Sequence, residues 1–192
     1  MVEVQQALTV QELISDLTSR LGRLDKPNQL SALIMWTLRA PDEVFWPVMT
    51  HMWSGLEFQG SSKSQLLHVF RRRAVTASGV MYLGSEDRVF FDGLPEPVPI
   101  FRGCAPWCVR SLSWTAERNT AEWFARRTVS FVGDAVLATA LIPKSAIFFA
   151  VTDRGEHEVV IDPRGLRKLK TEDVRCFLNG IQHGGRATAS AR

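Results

Sequence analysis

The side chains in this sequence most able to do chemistry together lie in its second half. Arg102 closes the apolar pair Ile100-Phe101. Ser113 and Thr115 flank Trp114 about ten residues later, and Glu156 and Glu158 open the late apolar run Val159-Val160-Ile161. A guanidinium grips phosphate through a bidentate fork that lysine lacks. A fixed carboxylate stabilises positive charge that develops in a transition state. In an extended strand, residues two apart share a face. Glu156 and Glu158 would then look into one cleft with His157 turned away, and Ser113 and Thr115 would share a face with Trp114 opposite. Each group has a plainer reading by itself: a surface arginine before a turn at Gly103, outward residues of an amphipathic strand, a solvated strand face. The order in which they follow one another carries the information. Glycine-rich dinucleotide and phosphate loops, the His-Glu-x-x-His zinc motif and the Gly-x-Ser-x-Gly elbow do not occur in the chain.

The elements that must position these groups fall into two regimes. Residues 1–78 read as helices. Thr9 and Glu12 form a capping box, Leu13, Ile14, Leu17 and Leu21 follow at helical spacing, and Gly22 suits the position just past the helix end. A second helix follows Pro27, and Pro41 opens a third that Pro47 should kink or end. A fourth starts at Ser61 or Ser62, carries Leu66, Leu67 and Phe70 on one side, and ends on Arg71-Arg72-Arg73. From residue 79 the pattern turns to strands. Val80 to Leu83 and Val89 to Phe91 read as a hairpin around Ser85 to Arg88. Strands are expected at Ile100 to Arg102, Leu112 to Thr115, Ala135 to Ile142, Ala146 to Val151 and Glu158 to Ile161, with one helix from Glu117 to Arg127. Clustered strands after clustered helices make an α+β chain: a helical region over 1–78, a β core over 79–183, and a small polar tail over 184–192 expected to be disordered.

Phe101-Arg102-Gly103, then Leu112 to Thr115 leading into Ala121-Glu122-Trp123-Phe124-Ala125, then Arg154 to Ile161, resembles the arginine–serine–glutamate class of ADP-ribosyltransferases. That class includes cholera-like toxins, vertebrate ecto-enzymes and phage host-modifying enzymes. The resemblance spans roughly residues 98–163 and implies a split β-sandwich around an NAD cleft. It implies that Arg102 holds an NAD phosphate, that the Gly103 backbone meets the nicotinamide amide, and that Ser113 orients the catalytic Glu158 with Thr115 supporting the strand. Glu156 would engage the acceptor. The segment from Arg127 to Asp134 would be a loop against nicotinamide and phosphate, making Phe131 a stacking candidate, and Thr152 to Gly155 would read the acceptor. Trp114 and Thr115 depart from the Ser-Thr-Ser of that class. Breaking the nicotinamide–ribose bond leaves an oxocarbenium-like sugar that a nearby carboxylate stabilises. The implied activity is mono-ADP-ribosyl transfer from NAD to a macromolecule. Glu rather than Gln at 156 points to protein arginine. An NAD glycohydrolase needs the same residues for its first step, and a non-catalytic interaction module is a further alternative.

The bulk numbers agree with a globular protein. Of 192 residues, 45% are hydrophobic and 22% charged, enough to build a core without disulfides. A net charge of +3, spread along the chain, is a weak case for nucleic acid. Arg164, Arg167, Lys168 and Lys170, like the arginine triplet, read as solvated surface. Cys104, Cys108 and Cys176 are an odd count, and no histidine lies near the first two, which argues against both a disulfide framework and zinc. No run approaches the length that crosses a membrane and no export signal opens the chain, so the expected location is the cytoplasm, of a host if the protein is delivered or phage-encoded. The expected partner is a protein acceptor, and the helical region could bind an antitoxin or other inhibitor.

Overall fold

The computed structural model describes residues 8–56 and 62–174. Its helices are α1 (Val10–Gly22), α2 (Lys26–Thr37), α3 (Asp42–Trp53), α4 (Ser62–Arg73), α5 (Ser85–Gly93) and α6 (Arg118–Val132). Its strands are β1 (Val98–Cys104), β2 (Ser113–Thr115), β3 (Val136–Ile142), β4 (Ile147–Val151), β5 (Glu158–Ile161) and β6 (Arg167–Asp173). The protein is α+β, with most helices before the strands. Among the described residues no helix is long and apolar enough to cross a membrane. The expected tail and Cys176 lie outside the described residues.

Two compact units divide the chain, at 94/95 rather than the expected 78/79, and Ile147–Gly155 returns to the first. In that first unit the capping box forms: the Glu12 amide donates to Thr9 Oγ1 at 3.3 Å and the Thr9 amide to Glu12 Oε2 at 2.8 Å. The bond holds the Glu12 carboxyl below its usual range. Gly22 is helical instead of lying past the end, which falls at Arg23 in right-handed conformation. Pro47 stays inside α3. A mid-helix proline costs about 3 kcal/mol, whereas each large apolar side chain buried contributes roughly 1.5–3 kcal/mol. Val44, Phe45, Trp46, Val48, Met49, Met52 and Trp53 of α3 are all buried, so packing overrides the lost bond. Of the arginine triplet, Arg73 is not solvated. It donates to the carbonyls of Thr37 and Leu38 at the end of α2, pairs with Asp42 at 2.7 Å and lies over Phe45.

The hairpin expected over 80–91 is instead a 3₁₀ turn, Gly79–Tyr82, followed by α5. Glu86 and Asp87 fall in the first helical turn, where the dipole favours acids, and only Phe91 is buried while Val89 is exposed. Short apolar runs do not separate strand from helix. Residues 147–155 return because β4 is buried along its whole length. Phe149 lies 5.1–6.1 Å from the rings of Trp53, Phe70 and Trp46, and Phe148 lies 5.3 Å from Phe70. Ser78 Oγ donates to the carbonyls of Ile147 and Phe148.

The second unit holds a sheet in the order β5-β2-β1-β3-β6, antiparallel throughout. β6 occupies the basic stretch read as surface. Its side chains are largely exposed, as expected, but its backbone pairs with β3. An exposed edge strand shows no apolar alternation to reveal it. α6 lies against β1 through small residues. A Cβ added at Gly103 would sit 2.0 Å from the Ala121 carbonyl oxygen and 2.3 Å from the Ala125 amide nitrogen. Only glycine permits that approach. The helix runs on to Val132 and closes on Gly133 at φ 79°, so the loop expected over 127–134 is mostly helix. At its start, Arg118 bonds Glu122 and Glu172 of β6, and these carboxylates, Glu122 foremost, raise its pKa further.

Candidate active site

A cleft of about 210 Å³ in the second unit is lined by Arg102 and Gly103 of β1, Ser113 and Thr115 of β2, Glu156, and Glu158 of β5. Phe101, Trp114 and, on α6, Ala121 and Phe124 complete its walls, so Trp114 is not confined to the face opposite Ser113 and Thr115 as strand alternation predicts. Pairing brings together groups far apart in sequence. Phe101 is opposite Thr115, Thr115 is opposite Glu158, and Ser113 is opposite Val160. Residues in register on adjacent strands sit about 4.5–5.5 Å apart, so the ladder itself carries Glu158 next to Thr115.

Arg102 braces this wall. Its Nε donates to the Cys108 carbonyl at 3.3 Å and its Nη1 to the Ser113 carbonyl. Those bonds use two of the five N–H groups of a guanidinium. Three remain without a protein partner among the described residues. Trp114 is buried and its Nε1 donates to the Ser111 carbonyl at 3.0 Å, which explains how a bulky residue fits between the two hydroxyl-bearing ones.

Thr115 does more than support a strand. Its Oγ1 donates to the Glu156 carbonyl at 2.7 Å and accepts from the Glu117 amide at 3.0 Å. One side chain thus ties the start of α6 to the segment bearing the acids. That segment is not regular strand: His157 has φ 44° and β5 begins only at Glu158. Both glutamates line the cleft even so. His157, expected to turn away, brings its Nδ1 to 2.5 Å from Glu117 Oε1. Neither Glu117 nor His157 was marked by sequence spacing. The one available signal was an acid at the start of a helix, which the dipole already explains.

Phe131 does not line this cleft. It is 78% exposed near the end of α6, and its ring lies 5.9 Å from the Arg127 guanidinium, which is also 5.4 Å from Trp123. The continued helix carries it along the surface, where a loop could have folded it inward. The Thr152–Gly155 segment, in the first unit, is a tight turn with Arg154 at φ 58°, anchored by Thr152, whose amide and hydroxyl both donate to Asp87 at 2.8 Å.

Comparison of the chain with protein-family models, with curated proteins and with solved structures gives no match.

Proposed function

We propose that this protein is an NAD-dependent mono-ADP-ribosyltransferase with a split β-sandwich catalytic core, acting in a cytoplasm on a protein acceptor. The observation that carries the reading is convergence. Arg102, Ser113, Thr115, Glu156 and Glu158, scattered over more than fifty positions, line one cleft in the order typical of the arginine–serine–glutamate class. Ligand pockets for whole drug-sized molecules run to roughly 300–1,000 Å³. At about 210 Å³ this cleft suits one end of a dinucleotide, and we assign it the nicotinamide–ribose end, with the phosphates towards Arg102.

In this scheme the bond between ribose C1′ and the nicotinamide nitrogen breaks, and its electron pair leaves with nicotinamide. The positive charge left on the sugar is stabilised by the carboxylate of Glu158, fixed on β5 rather than free to reorganise. Ser113 and Thr115 hold the wall from which that carboxylate projects. A nucleophilic nitrogen of the acceptor then bonds C1′ and gives up its proton, with Glu156 positioned to hold an acceptor guanidinium and accept that proton. Arg102 spends two N–H groups on the wall and keeps three for phosphate, so it both shapes and binds.

Labelled NAD incubated with the protein and a cell lysate tests this. Label is expected on macromolecules, with free nicotinamide released. Glu158→Gln should lower both by about 10²–10³-fold, and Glu156→Ala should keep NAD cleavage and lose transfer. Free ADP-ribose without labelled macromolecules would reject transfer in favour of hydrolysis. No turnover together with no calorimetric binding at millimolar NAD would reject the enzyme altogether.

A further inference from the structure

We propose that Glu117 and His157 form a clasp that aims Glu156 relative to Glu158, making His157 a positioning residue for the transfer step; this rests on the reading of the cleft given above. His157 is the single residue between the two cleft-lining carboxylates. At φ 44° it occupies the left-handed region, which few non-glycine residues adopt, although histidine and asparagine enter it more readily than most. Simple alternation along a strand therefore does not aim Glu156.

Three consecutive residues supply what does. Thr115 Oγ1 donates to the Glu156 carbonyl at 2.7 Å, the Ala116 amide donates to the His157 carbonyl at 3.0 Å, and Glu117 Oε1 lies 2.5 Å from His157 Nδ1. Glu117 is itself held, its amide by Thr115 Oγ1 at 3.0 Å and its Oε2 by Thr120 Oγ1 at 3.3 Å. Glu158 is placed differently, in the ladder opposite Thr115. One carboxylate is thus set by backbone pairing and the other by a side-chain clasp. The clasp side chains are 37% and 47% exposed, so the pair adds little stability in water and its contribution is direction.

The consequence is a split that general destabilisation does not produce. Releasing the clasp should disturb the acceptor-side acid and spare the one that supports bond cleavage. The test uses the full chain as wild type, Glu117→Gln, His157→Ala and His157→Asn, with labelled NAD and lysate protein, and circular dichroism to compare folding. A misplacement of about 1 Å can cost about 10²-fold. Glu117→Gln and His157→Ala are expected to lower transfer relative to NAD cleavage by about 10- to 100-fold, with KM for NAD unchanged. Asparagine tolerates positive φ and keeps a donor, so His157→Asn should recover part of the ratio lost in His157→Ala. Equal ratios in all four proteins would overturn the clasp. If the wild type neither cleaves nor transfers, the reading of the cleft fails, and the clasp is then judged by the carboxyl ¹³C signals of Glu156 and Glu158. A Glu156 signal that moves in Glu117→Gln and His157→Ala while that of Glu158 stays supports the clasp, and two unmoved signals overturn it.

Discussion

Gly103→Ala tests the contact on which the cleft's two walls depend. The new Cβ would meet the Ala121 carbonyl oxygen at 2.0 Å, the Ala125 amide nitrogen at 2.3 Å and Ala125 Cα at 2.8 Å, where ordinary contact begins at 3.4 Å. All three atoms are helix backbone, so no side-chain rotation relieves them, and α6 must lift from β1 by more than an ångström. Overpacking of a core costs about 1–3 kcal/mol. A backbone collision belongs at the upper end, and a chain of this size loses about 2–4 °C of Tm per kcal/mol, giving a fall of roughly 6–12 °C. Because Phe101 and Gly103 of β1 and Ala121 and Phe124 of α6 all line the cleft, the lift also reshapes it and should weaken NAD binding. Thermal melting by circular dichroism and calorimetric titration with NAD read the two effects. Gly93→Ala is the control, since a Cβ there meets nothing within 4 Å. If Gly103→Ala melted with the wild type, the close approach of α6 to β1 would be wrong, and the account of the cleft with it.

Other expectations follow from the same geometry. Arg102→Lys removes the forked donors that reach the Cys108 and Ser113 carbonyls, so it should both lower Tm and weaken NAD binding; retention of wild-type affinity would mean the arginine does not meet phosphate. Thr115→Val keeps the shape but leaves the Glu117 amide and the Glu156 carbonyl without their shared hydroxyl, at a cost of about 1–3 kcal/mol measurable by urea denaturation. Phe131→Ala should leave NAD affinity unchanged, since the ring lies on the exposed face of α6. A loss of affinity there would return Phe131 to the site.

Much of this protein was legible before any coordinates. Period and capping marked α1 to α4 because helix formation is local: Thr9 needs only Glu12, three residues on, to close its box. Strands with apolar runs, β1 to β5, were legible because burial demands such runs. The polar residues that line the cleft were legible as a set through the order of Arg102, Ser113, Thr115, Glu156 and Glu158.

What tertiary structure alone decided is whatever depends on a partner distant in sequence. Pro47 stays helical because seven buried neighbours on α3 outweigh one missing bond. β6 exists because β3 offers it a free edge. Residues 85–93 are helix rather than strand, with Asp87 accepting from the Thr152 amide and hydroxyl 65 positions away and only Phe91 buried. The close contact of Glu117 with His157 and the hydrogen bond by which Arg102 braces β2 join groups 40 and 11 positions apart, through polar contacts rather than by any hydrophobic period. Polar contacts of that kind leave no repeating pattern along the chain. A sequence therefore displays the polar groups that line a cleft more readily than the contacts that hold them there.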